Sequence, residues 1–129
     1  MAVTHSTAAR NAATDAVTAL IGASGKQAFR LSGTVSAPGT VVATLSLSAT
    51  AFGASSAGTA TANAITADTN ATGNASPVAT ATLQTSGGTV VIHCAVAASA
   101  SDINMTNGLT VAAGDTVSCS SLTYTALSA

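Results

Sequence analysis

Along Val41 to Ala49 the side chains alternate between two kinds. Val41, Ala43, Leu45, Leu47 and Ala49 fall on one parity, and Thr44, Ser46 and Ser48 fall on the other. Successive side chains of a strand point to opposite faces, so this stretch is expected to be a strand with one dry face and one polar face. An antiparallel sheet that covers a core on one side produces that pattern.

Similar stretches recur along the chain. Gln27 to Ser32 reads as a short strand with Phe29 and Leu31 on one side and Ala28 and Arg30 on the other. Thr59 to Ile65 reads as another. Val78 to Gln84 sets Ala79, Ala81 and Leu83 against Val78, Thr80 and Thr82. Thr89 to Ala97 is the most apolar strand, with Val90, Ile92, Cys94 and Val96 pointing one way. Asp102 to Thr106 is short. In Thr116 to Leu127, Val117 and Cys119 share one parity and Leu122 and Tyr124 the other, which calls for a β-bulge near Ser120 and Ser121. Turn chemistry separates these stretches at Pro38-Gly39, Ser86-Gly87-Gly88, Asn107-Gly108 and Gly114-Asp115. About seven or eight short strands at such intervals indicate an all-β, antiparallel sandwich or jelly roll. The Thr-Ala-Thr runs raise a β-solenoid as a rival, but they follow no fixed period.

One segment has helical spacing instead. Ala9, Ala13, Ala16, Val17, Leu20 and Ile21 recur every three or four residues within Thr7 to Ile21. Thr4 or Ser6 can cap its start, and Gly22 can take the left-handed position after its end. The opposite side carries Arg10, Asn11, Thr14 and Thr18. The expected organisation is an N-terminal arm and helix over 1–25, then a sandwich over 26–129. The helix either closes one end of that body or docks on a partner.

Composition restricts function more than fold. Hydrophobic residues are 47% of the chain but aromatics only 2%, so the core must be built from small side chains and must be thin. Charged residues are 5%, against roughly 25% in ordinary soluble domains. There is no Glu; the cations are Arg10, Lys26 and Arg30, and the net charge is -1. Such a surface offers too few cations to hold nucleic acid by counterion release. Near-zero net charge instead favours a subunit packed into an assembly. No apolar run is long enough for a membrane span. The start lacks the pattern of a signal peptide, so synthesis in a cytoplasm is expected and the Asn-x-Ser/Thr triplets are read as chance.

No catalytic constellation emerges. His93 lies opposite in parity to Ile92 and Cys94, so His93 and Cys94 are badly placed to share a metal. Cys94 and Cys119 both fall on expected core faces. Free buried thiols are the default for a cytoplasmic product, and a bond between them would need α-carbons within roughly 7 Å. Asp68, Asn70 and Asn74 put oxygens in one loop without the spacing or final Glu of an EF-hand, so Asn/Asp turns are the better reading. No Gly-x-Ser-x-Gly elbow and no phosphate-cradling loop is present.

A resemblance adds a role. Ala51-Phe52-Gly53, Gly58 to Ile65 and Asp68 to Gly73 resemble a run found in small virion proteins of tailed bacteriophages. Ser101 to Asn104, Gly114 to Val117 and Ser121 to Thr125 resemble the second half of the same proteins. The likeness spans roughly residues 20 to 126, and its strands near 26–31 and 78–84 are plainer than the aromatic ones of those proteins. Several such proteins are similar to capsid decoration, or cement, proteins with a jelly-roll body. The resemblance implies no catalytic residues and no cofactor. It implies a non-enzymatic homotrimer on the capsid surface with the major capsid protein as partner, and neither nucleic acid nor membrane. Arg10, Asn11, Thr14, Lys26 and Arg30 are the expected partner contacts. A tail or fibre component that binds host glycans is the alternative, and a small hydrolase is a third.

Overall fold

A computed structural model describes residues 3–127. The outer ends of the arm and of the β-body, residues 1–2 and 128–129, lie outside the described residues. The elements in order are α1 (Thr7–Ala19), β1 (Lys26–Arg30), β2 (Val41–Ser46), β3 (Thr59–Thr61), β4 (Thr80–Gln84), β5 (Val90–Ala97), β6 (Ile103–Asn104) and β7 (Thr123–Thr125). The chain is mostly β with one helix.

The main sheet has five strands in the order β2-β1-β4-β5-β6, and β3 pairs with β7 in a separate two-stranded sheet. The main sheet is mixed, which corrects the expectation of an antiparallel sheet: β5 and β6 run parallel, with Val96 opposite Ile103. Asp102 explains how so short a connection achieves this. Its Oδ2 accepts the Ala95 N–H at 3.0 Å, and the Met105 N–H then bonds the Ala97 carbonyl at 2.8 Å, so the chain doubles back beside β5.

Alternation sorts the sheet into two faces. The inner face carries Phe29, Ala43, Leu45, Ala81, Leu83, Ile92 and Val96, all in the hydrophobic clusters. The long loops close over it with Phe52, Ala71, Val78, Val111, Val117 and Leu122. Two bulges shift the parity read from sequence. An irregularity at Phe29/Arg30 puts Val41 opposite Arg30 and sends Val42, fully buried, to the core. Another at Leu83/Gln84 puts Val90 opposite Gln84, so Val91 joins Ile92 against the core in its place. An extra residue in one strand reverses the faces beyond it.

The long final strand is also corrected. Only Thr123–Thr125 pairs as a strand, whereas Val117 bridges Asp68 and the Leu122 carbonyl accepts the Ala62 N–H at 2.8 Å. Leaving strand geometry between them, rather than bulging, lets Val117 and Leu122 both reach the core. The strand expected over Thr59 to Ile65 likewise shortens to Thr59–Thr61.

Candidate functional site

The helix docks through the side opposite its apolar stripe. Ser6 caps it, its Oγ accepting the Ala9 N–H at 3.1 Å, and Gly22 takes φ 71° after its end. Its polar side, however, faces the body. Arg10 Nη2 donates to the Ala57 carbonyl at 2.6 Å and its Nε to the Leu127 carbonyl at 3.3 Å. Asn11 Oδ1 accepts the Gly58 N–H at 2.8 Å, and Asp15 Oδ1 accepts the Ser55 N–H at 2.9 Å. Thr14, fully buried, donates to the Gly58 carbonyl at 2.6 Å and accepts the Ala126 N–H at 3.1 Å. Gly58 sits at φ 84° with Arg10 Nε only 2.9 Å from where a Cβ would stand, so the helix lies tightly on that turn. Of the apolar stripe, Ile21 enters the core, Ala13 and Val17 are half-buried, and Ala9, Ala16 and Leu20 are exposed. With Ala8, Ala12 and Ala19 they make an outward face of alanines around a Leu20 that is 65% exposed.

Lys26 and Arg30 occupy a different surface, the outer face of the main sheet. The registers set that face in three rows. One row is Ser46, Lys26, Gln84 and Val90; the middle row is Thr44, Ala28, Thr82 and His93; the third is Val41, Arg30, Thr80 and Ala95. None of these residues belongs to either hydrophobic cluster, yet the middle of the face is closed: Ala28 and Thr82 are fully buried and Arg30 nearly so. Arg30 lies flat along the face. Its Nε donates to Thr82 Oγ1 at 3.1 Å, its Nη1 to the Gly39 carbonyl at 2.7 Å, and its Nη2 to Gln84 Oε1 at 2.9 Å. Lys26 Nζ donates to Ser46 Oγ at 3.0 Å. Four strands and four residues of rise give a platform of about 14 by 13 Å. The expected contact residues therefore divide between two surfaces: Arg10, Asn11 and Thr14 hold the helix to the body, and Lys26 and Arg30 lie on the outer face of the main sheet, where they too bond within the chain.

The carboxylates hold turns. Asp68 accepts the Thr44 and Asn70 N–H groups, each at 2.9 Å, and Asp115 accepts the Ala112 N–H at 2.9 Å. Asn74 closes a similar turn onto Ser76 at 2.9 Å, so the loop suspected of oxygen ligation is built of Asn/Asp turns. Among the described residues no group of three or more His, Cys, Asp or Glu is placed to hold a metal, and no helix is long and apolar enough to cross a membrane. Cys94 and Cys119 are free and half-buried. Burial, then the Asp102 carboxylate, pushes the Cys94 thiol up to about 11. His93 points to the outer face, as parity requires, with its Nε2 buried and unpartnered.

A third feature was not legible in the sequence. An open cleft of about 640 Å³ lies beside β6, with Phe29, Met105 and Val117 toward its floor and Asn104, Asn107 and Asp115 around it. It forms because residues 118–121 leave strand geometry.

No family model, no curated protein and no solved structure matches this chain.

Proposed function

We propose that the chain is a non-enzymatic structural protein that decorates and stabilises a tailed-phage capsid from outside, as a homotrimer contacting the major capsid protein. The reading rests first on the resemblance of the Gly-, Ala-, Thr- and Asn-rich turn segments. The observation that carries it is how the helix docks: α1 spends its hydrogen-bonding side on its own body and turns alanines and Leu20 outward. On a chain of net charge -1 such a face suits packing against neighbouring subunits. Many weak copies suffice, because binding only the assembled shell stabilises it by mass action and the lattice makes contacts multivalent. In this reading the five-stranded sheet and the β3–β7 pair are the two layers of a jelly-roll-like sandwich.

The test adds purified protein to undecorated heads and measures co-sedimentation and the temperature of DNA release. Wild type is expected to bind and to raise that temperature. Leu20→Asp, which alters only the outward side of α1, is expected to fold normally and to lose binding. Failure of the wild type to bind heads would overturn the decoration role.

The cleft favours a second reading, a tail or fibre component that takes host glycans. Asn104, Asn107 and Asp115 supply hydrogen-bonding groups around a partly apolar floor, the pattern of small-molecule sites. Saturable shifts of those residues on titration with oligosaccharides, together with no head binding, would favour it.

A further inference from the structure

The outer face of the main sheet carries positive charge that no carboxylate among the described residues pairs with. Arg30 is 7% exposed, yet its hydrogen-bond partners among the described residues are neutral: a hydroxyl, a carbonyl and an amide. Those three bonds use three of its five N–H groups and leave its charge without a carboxylate among the described residues. Burial lowers its pKa, and no carboxylate opposes that. Lys26 is held in the same way, on Ser46 Oγ. The four aspartates accept instead from the backbone N–H groups of Ser55, Thr44, Asn70, Ala95 and Ala112. Buried charges in proteins are as a rule paired. Here two cations are fixed in place on one sheet face, Arg30 nearly buried and Lys26 half-buried, beside a buried His93 Nε2 that has no hydrogen-bond partner.

We propose that this face is a docking surface for a carboxylate-bearing patch of another protein, with Arg30 and Lys26 each taking a carboxylate. The proposal rests on the reading of the chain as a docking protein and names the chemistry of its partner. A guanidinium already oriented by three bonds presents its remaining N–H groups with little loss of freedom, which suits a planar carboxylate. The backbones of Lys26 and Arg30 are about 13 Å apart along β1, and the Arg30 guanidinium lies back over Thr82 and reaches Gln84, beside Lys26, so the two charges fall within reach of neighbouring acidic side chains on one folded surface. Nucleic acid is the poorer match. Two cations release only about two counterions, against the six to ten phosphate contacts of effective binders. Thr44 lies in the row between Lys26 and Arg30, and Ser46 and Thr80 flank them in their own rows. One such patch is small, so each copy binds weakly and the effect comes from repetition.

The test is a nitrogen-15 NMR titration of the full chain with a hexaglutamate peptide. Inorganic phosphate and a short single-stranded oligonucleotide serve as the other arms. Saturable, salt-sensitive shifts are expected at residues 26–30 and 80–84 and at the Arg30 Nε. Ser46→Asp places an internal carboxylate beside Lys26 without touching the core. That variant and Lys26→Ala are expected to weaken peptide binding about fivefold or more while the rest of the spectrum is unchanged. Shifts confined to other surfaces, or equal binding by Ser46→Asp, would overturn the proposal. Tighter binding of the oligonucleotide than of the peptide would overturn it too and assign the face to nucleic acid. On undecorated heads Ser46→Asp should bind less than wild type. If wild type does not bind heads at all, the decoration role falls, and the peptide titration alone decides the face.

Discussion

Thr14→Val tests whether the helix is held by its polar side. The replacement keeps the shape of a fully buried side chain and removes its hydroxyl. Two backbone groups then lose their partner, the Gly58 carbonyl and the Ala126 N–H. Each buried orphan costs about 1–3 kcal/mol, and the added methyl returns about 1 kcal/mol. The expected loss is about 3 kcal/mol, a large share of the roughly 5–15 kcal/mol that holds a small domain together. At a urea dependence of about 1.5 kcal/mol per M, the unfolding midpoint should fall by about 2 M. Thr14→Ser keeps both bonds and should lose only about 1 kcal/mol. Leu20→Ser, at a position 65% exposed, should stay within about 0.5 kcal/mol of wild type. Urea titrations of the three variants, followed by circular dichroism, give the comparison. If Leu20→Ser were more damaging than Thr14→Val, the helix would be docked through its apolar stripe and the reasoning would be wrong.

Gln27 is fully buried with both amide atoms unpartnered, so Gln27→Met should raise the melting temperature, by about 1–2 kcal/mol of stability. A lower melting temperature would show that the amide has a partner in solution. Leu45→Asp should prevent folding, since it puts an unpaired charge on a core face, whereas Ser46→Asp should fold, because a carboxylate there meets Lys26. Equal damage by both would mean that the outer face is covered. Cys94 should resist alkylation at pH 8, its thiol being raised to about 11. The same shift makes a stability prediction. A thiol whose folded pKa lies above the ordinary 9.0 stabilises the fold fully below pH 9 and loses that contribution as pH rises toward 11. Cys94→Ala should flatten this alkaline decline, and an unchanged profile would remove Cys94 as its source.

Much of the β-body was legible. The alternation at Ala43 to Ser46, Thr80 to Gln84 and Ile92 to Val96 names the inner residues correctly, because a one-sided sheet imprints period two on its strands. Val41 and Val90 were misplaced for one reason: each lies beyond a bulge, and a bulge leaves no mark in a Val-Val pair. The parallel β5–β6 pairing escaped because it depends on Asp102 reaching back to Ala95, a contact seven residues apart. The helix was located and its cap was among the two residues expected, but the pattern did not say which side docks. An alanine stripe buries little area, at roughly 25 cal/mol per Å². Arg10, Asn11, Thr14 and Asp15 meet backbone groups of residues 55–58, which are distant in sequence. Polar complementarity of that kind has no period to read.

The scarcity of charge and the cationic face follow from the same constraint. With a core of small side chains and few strands, much of the chain runs as loops that hydrophobic burial alone anchors poorly. Carboxylates supply the missing anchors by accepting backbone N–H groups: Asp68 ties residue 70 and β2, Asp102 ties β6 to β5, Asp115 ties residue 112, and Asp15 ties the helix to residue 55. A carboxylate used this way is fixed at a turn and cannot travel to a sheet face. The chain has no Glu to do so instead. Lys26 and Arg30, placed by strand parity on the outer face, are therefore left to neutral acceptors. Among the described residues no carboxylate bonds to either of them, which is why we propose an acidic group from a partner. The device that holds the loops thus also decides what kind of surface the sheet presents.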